Sequence, residues 1–88
     1  MRPPALWLDG NALAGLLDEV FGAEMTTAMR RCQSCGTLSA IGAHRAYAGA
    51  GAVLRCPACG DLAMTIASLR DRRVVHLAGE WMLELPRS

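Results

Sequence analysis

The segments Cys32-Gln33-Ser34-Cys35-Gly36 and Cys56-Pro57-Ala58-Cys59-Gly60 are the only internal repeat in this chain, and twenty residues separate Cys35 from Cys56. That is the C-x2-C…C-x2-C arithmetic of a four-thiolate metal site. Two residues between cysteines let the chain turn tightly enough to aim both sulfurs at one ion. The glycine after each pair, Gly36 or Gly60, can take a positive φ at little steric cost. It also lets backbone N–H groups approach the thiolates and support them from outside the ligand set. Pro57 fixes φ at the entry to the second turn. Two such knuckles, one from each of two hairpins, close a tetrahedron of sulfurs from Cys32, Cys35, Cys56 and Cys59.

Other readings of the cysteines fit less well. Disulfides belong to oxidising compartments, and a thioredoxin-like redox motif needs one C-x-x-C in a βαβ unit, not two mirrored turns. A tetrahedral set of four sulfurs suits zinc or iron. Knuckles of this kind occur in zinc ribbons and in rubredoxins, but rubredoxins pack several aromatics around the iron. The aromatics here are Trp7, Phe21, Tyr47 and Trp81, and none directly flanks a knuckle. The expected cofactor is therefore Zn2+, with Fe as the alternative. His44 and His76 are not required as ligands, and a closed set of four cysteines leaves no open position for catalysis.

Working outward, the N-terminal side reads as a helix over 8–22. Leu13, Leu16, Leu17, Val20 and Phe21 recur at i, i+3, i+4, i+7 and i+8 and so share one stripe. Asn11 or Asp9 is the candidate cap, and Gly22 suits the left-handed position that ends a helix. The stripe either packs on the rest of the chain or forms an interaction surface for a partner. Asp18 and Glu19 fall in the last turns, where the helix dipole disfavours negative charge; they face solvent, arginines or a partner.

From Thr26 the pattern is β, with short runs at Thr26–Arg31, Ala43–Ala48, Ala52–Arg55, Leu62–Leu69, Arg73–Ala78 and Trp81–Leu85. Ala48-Gly49-Ala50-Gly51, Arg70-Asp71-Arg72 and Gly79-Glu80 mark turns between them. The expected fold class is α+β: an N-terminal helix plus a zinc-ribbon or rubredoxin-like antiparallel β meander over 26–85, in a single domain of 1–88.

The composition agrees. At 88 residues the chain sits just above the size at which small domains usually need a disulfide, a metal or a partner. Hydrophobic residues at 52% and charged residues at 19% exclude a disordered chain. The formal charge of +1 falls to −1 once four thiolates and a divalent ion are counted. This is unlike the basicity of a generic nucleic-acid binder. All nine basic residues are arginine. Arg30-Arg31 and Arg55 adjoin the knuckles, while Arg70, Arg72 and Arg73 mark a hairpin tip, so nucleic-acid binding stays as a lesser alternative. Pro3-Pro4 and Asp9 interrupt the N-terminal apolar run well short of the about 7–15 residues of a signal-peptide core. No stretch approaches the about 18 apolar residues of a membrane span. A cytoplasmic location, without a membrane partner, is expected.

The run Leu8-Asp9-Gly10-Asn11-Ala12-Leu13-Ala14-Gly15, then Glu19-Val20-Phe21-Gly22, Met25-Thr26, Cys32-x-x-Cys35-Gly36, Tyr47 and Leu54-Arg55-Cys56-Pro57-x-Cys59, resembles a family of short uncharacterised zinc-ribbon proteins from high-GC actinobacteria. The resemblance covers nearly the whole chain. It implies the metal site and no established activity. It also implies neighbourhood to a flavin-dependent, ferredoxin-reductase-like protein and a molybdopterin oxidoreductase, which supports a redox accessory role.

No nucleophile–base pair, phosphate-binding glycine loop or HExxH motif is present, so an enzyme is not expected. The expected function is a structural zinc ribbon acting as a non-catalytic, partner-binding or accessory module, with a protein partner. The alternatives are a rubredoxin-like one-iron electron carrier or reductase accessory, and a zinc-ribbon nucleic-acid binder.

Overall fold

The computed structural model describes residues 8–49 and 51–84. In chain order these form β1 (Leu8–Asp9), a 3-10 turn (Gly10–Leu13), α1 (Ala14–Phe21), β2 (Met29–Arg31), β3 (Leu38–Ala40) and a second 3-10 turn (Ile41–Ala43). There follow β4 (Arg45–Ala48), β5 (Gly51–Arg55), β6 (Leu62–Ser68), β7 (Arg73–Leu77) and β8 (Glu80–Met82). An α+β chain with antiparallel pairing was expected and is found. Trp7, Ala50 and Leu85, which figured in that expectation, lie outside the described residues.

The helix is shorter than 8–22. Leu8 and Asp9 pair with Ala46 and Arg45 of β4, and the next four residues wind as the 3-10 turn. Asp9 makes no side-chain cap, and Asn11 lies inside the 3-10 turn. Strand pairing, together with the Gly10 N–H donating to the His44 carbonyl at 2.8 Å, decides this segment instead of local capping. Gly22 ends the helix as expected, with φ 71° and its N–H on the Asp18 carbonyl.

The apolar stripe is covered by the protein itself. Leu13 and Leu17 are buried, and Leu16, Val20 and Phe21 pack against the same core. The sheet supplies its share by alternation. The register sets Ala46 beside Leu54 and Leu54 beside Met64, with Ala52 beside Ile66 in the next row. All five are buried in that core. Of the two acidic residues late in α1, Glu19 is answered by Arg73 of β7 at 2.9 Å.

Among the described residues the strands form two sheets, not one meander: β1-β4-β5-β6-β7 and β3-β2-β8. The stretch from β4 to β7 is a meander. β8 then leaves it and pairs with β2, setting Arg30 opposite Trp81 and Arg31 opposite Glu80. On the other side of β2 lies β3, which the pattern did not suggest. Leu38-Ser39-Ala40 carries little strand signal by itself, and its pairing makes it a strand. The crossing to β8 needs Gly79, which has φ 83°. A Cβ there would meet the Arg31 carbonyl oxygen at 2.6 Å. Among the described residues no helix is long and apolar enough to cross a membrane.

Candidate metal centre

Each C-x-x-C-G segment is the turn of a hairpin, β2–β3 for the first and β5–β6 for the second. The backbones repeat. The Cys32 N–H donates to the Thr37 carbonyl at 2.9 Å and the Gly36 N–H to the Cys32 carbonyl at 3.0 Å. In the second turn Cys56 N–H reaches the Asp61 carbonyl at 2.8 Å and Gly60 N–H the Cys56 carbonyl at 2.9 Å. Gly36 and Gly60 have φ of 75° and 82°, the left-handed conformation that glycine allows there. The residue before each first cysteine straddles its turn: Arg31 donates to the Gly36 carbonyl at 3.4 Å, and Arg55 to the Gly60 carbonyl at 3.2 Å. Pro57 offers its carbonyl to Arg45 at 3.3 Å.

The four sulfurs converge. Cys32, Cys35, Cys56 and Cys59 place their Sγ atoms within 4.8 Å of one another. The tightest approaches run between turns, Cys32 to Cys59 at 3.6 Å and Cys35 to Cys56 at 3.7 Å. A tetrahedron with metal–sulfur bonds of about 2.3 Å has edges of about 3.8 Å. Disulfide sulfurs lie at about 2.05 Å, and all four cysteines are free. The residues present therefore fit one tetrahedral thiolate-bound ion. Cys32 and Cys56 are buried, while Cys35 and Cys59 are exposed, so one side of the site meets solvent. Among the described residues no other group of histidine, cysteine or acidic side chains converges in this way.

Backbone amides prepare the thiolates. Ser34 N–H points to Cys32 Sγ and Ala58 N–H to Cys56 Sγ, both at 3.4 Å, and Asp61 N–H to Cys59 Sγ at 3.5 Å. The amides of Cys35 and Ser34 draw the Cys32 thiol down to about 6. The Thr37 hydroxyl, then its amide, lowers Cys35. At Cys59 the Asp61 amide pulls down, but partial desolvation and the three other sulfurs outweigh it and push the thiol up to about 12. Without an ion the cluster shares its protons unequally. A divalent cation would displace them, because thiolate is the ligating form.

The residues between the turns were not legible as site residues. Arg30 is fully buried. Its Nε donates to the Ala78 carbonyl at 2.8 Å, its Nη1 to His44 Nε2 at 3.3 Å, and its Nη2 to Gln33 Oε1 at 2.5 Å and the Leu62 carbonyl at 3.3 Å. Arg30 was grouped with arginines available to phosphate, and burial removes it from that set. One signal was present: Arg30 stands two residues before buried Cys32 on a strand, and so shares its inward face. His44 is also buried and is no ligand. Its Nδ1–H donates to the Ala40 carbonyl at 2.9 Å, leaving Nε2 to accept from Arg30. Burial, reinforced by the Arg30 charge, lowers its pKa. His76 is exposed on β7. Other arginines are engaged as well, Arg72 with Asp71 at 3.0 Å and Arg31 with Glu80 at 3.5 Å.

Fold and site together define a small α+β protein with a four-cysteine cluster positioned for one metal ion. The chain belongs to the family of unknown function DUF6510, whose profile matches residues 3–88. Comparison with curated proteins and with solved structures returns no significant match in either.

Proposed function

We propose that this protein is a non-catalytic zinc-ribbon module: Cys32, Cys35, Cys56 and Cys59 hold one Zn2+, and the folded domain serves a protein partner as an accessory in the cytoplasm. The convergence of four sulfurs from two hairpin turns within 4.8 Å carries the metal half of this reading. Structural zinc contributes about 10–16 kcal/mol of apparent free energy in small peptides at neutral pH. That is on the order of the whole stability of a small domain, about 5–15 kcal/mol. A closed four-thiolate set argues for a structural ion over a reactive one.

One observation favours a second reading. Cys35 and Cys59 reach the surface, which would give an iron–tetrathiolate centre a short path to a redox partner such as a flavoprotein reductase. One experiment separates the two. Protein purified without added metal is analysed by mass spectrometry and visible absorption. One zinc per chain and no colour supports the ribbon. One iron with thiolate-to-iron absorption replaces it with the electron carrier. Four free thiols in a folded, metal-free chain that takes up no added zinc would defeat both.

A further inference from the structure

The two cysteine turns share a backbone, yet a single carboxylate, on the second turn, accepts side-chain bonds from the first. Asp61 directly follows the glycine of the second turn. Its Oδ2 accepts from Gln33 Nε2 at 2.9 Å and from the Ser34 hydroxyl. Gln33 and Ser34 are the two residues between Cys32 and Cys35. The other oxygen, Oδ1, accepts from the Leu62 N–H at 2.9 Å, and the Asp61 amide approaches Cys59 Sγ at 3.5 Å. Gln33 is held from behind by buried Arg30 and donates a further bond to the Leu62 carbonyl at 3.0 Å. A continuous set of bonds thus runs from the core through Arg30 and Gln33 to Asp61 and the Cys59 sulfur.

We infer that Asp61 is a positioning residue for the metal site, a latch that seats the first turn against the second so that four sulfurs are assembled before an ion arrives. The inference rests on the metal-binding reading above. Its support is the one-sidedness of the contact. Thr37, which occupies the matching place after the first turn, lies 3.2 Å from Cys35 Sγ of its own turn. Pro57 and Ala58, which match Gln33 and Ser34, carry no polar side-chain atom to return the bond. Preassembly matters because bringing two distant turns together costs conformational entropy, and a site already ordered does not incur that cost on binding. Groups that hydrogen-bond the ligating atoms typically govern affinity by about 10–100-fold, and the Asp61 carboxylate holds two of them in place, its own amide on Cys59 Sγ and the Ser34 amide on Cys32 Sγ. A carboxylate is required, since both oxygens accept. An asparagine would present its NH2 either to Gln33 and Ser34 or to the Leu62 N–H.

The test is zinc affinity and zinc release to a competing chelator, measured on the full chain. The variants are Asp61→Ala, Asp61→Asn, Ser34→Ala and the Ser34→Ala/Asp61→Ala pair. Val75→Ala on β7 is a destabilised control away from the site. The expected result is a loss of about 10–100-fold for Asp61→Ala with faster release. Smaller losses are expected for Asp61→Asn and Ser34→Ala, with the double variant no weaker than Asp61→Ala alone. Val75→Ala should leave release unchanged. Should Asp61→Ala fail to fold, the exposed Ser34→Ala and the near-isosteric Asp61→Asn still decide the matter. Wild-type affinity and release in the Asp61 and Ser34 variants would overturn the latch alone. So would an equal loss in Val75→Ala. A wild-type chain that takes up no zinc would overturn the metal reading and the latch with it.

Discussion

The first cysteine turn and the second correspond residue for residue, and the differences between them are chemical. Arg31 and Arg55 do the same work, each bonding the carbonyl of its turn's glycine. One step further back the two diverge: Arg30 stands where the other hairpin has Leu54, and both are fully buried. Leu54 packs in the apolar cluster. Arg30 instead gathers the Ala78 and Leu62 carbonyls, His44 and Gln33 around one guanidinium. The second turn sits on an apolar floor and the first on a polar one. The comparison teaches that the repeated motif specifies the turn, while its surroundings decide how the turn is anchored.

Breaking the ligand set tests the part the turns share. On the proposed zinc reading, Cys32→Ser and Cys56→Ser should each abolish stoichiometric zinc binding and disrupt much of the fold, because these two sulfurs are also buried. Cys35→Ser and Cys59→Ser should weaken binding severely while leaving more residual structure. Zinc stoichiometry and far-UV circular dichroism would show it; identical behaviour of all four would remove the distinction between buried and exposed ligands.

The polar floor is the next largest effect. Arg30→Leu, which copies the second turn's solution into the first, should destabilise by about 3–5 kcal/mol, since it strands buried acceptors that the guanidinium now satisfies. Leu54→Ala should cost about 2–5 kcal/mol through the cavity it leaves. Chemical denaturation of both variants measures the pair. A neutral or stabilising Arg30→Leu would mean that the apolar solution serves both turns.

His44 makes the first turn's anchoring sensitive to pH near neutrality. Its folded-state pKa lies below the unfolded value, burial being the main cause and the Arg30 charge adding to it. The unfolded chain therefore binds the proton more readily. The stability that neutral His44 contributes is present above its unfolded value of about 6.5 and is lost as pH falls below it. His44→Gln should flatten this part of the profile. Unfolding free energies compared at about pH 7.5 and about pH 5.5, on either side of that value, would check it, with the cysteine contribution common to both chains. Equal slopes would remove His44 from the account.

The smallest effects should be the most alike. Gly36→Ala and Gly60→Ala force a left-handed conformation on an L-residue, which costs roughly 1–2 kcal/mol at either turn. A Cβ on Gly36 meets nothing within 4 Å, and on Gly60 only Arg45 Nη1 at 3.8 Å. Thermal denaturation should give similar shifts for both, and a marked difference would show that the backbones are less equivalent than their hydrogen bonds.

Much of the architecture was written in periodicity. The stripe from Leu13 to Phe21, the strands from β4 to β7 and the end of α1 at Gly22 depend on local pattern and local backbone preference. β1 and β3 were illegible for the opposite reason. Leu8–Asp9 and Leu38–Ala40 are too short to show alternation, and each is a strand because a neighbour supplies its hydrogen bonds. β8 was legible as a strand in the run Trp81–Leu85, but its choice of β2 over β7 left no trace in Glu80-Trp81-Met82.

The sequence by itself determined the four cysteines of the candidate metal site, the two glycine-ended turns that aim them and the amphipathic helix. These are set by residue type and by spacing within a few positions. Only the tertiary structure decided what joins the turns: β8 crossing back over Gly79, Arg30 drawn inside, and Asp61 reaching Gln33 and Ser34. Each of these depends on groups distant in the chain finding hydrogen-bond partners once buried. A buried donor or acceptor must be satisfied by whatever the fold brings near it, and spacing along the chain carries no record of which group that will be.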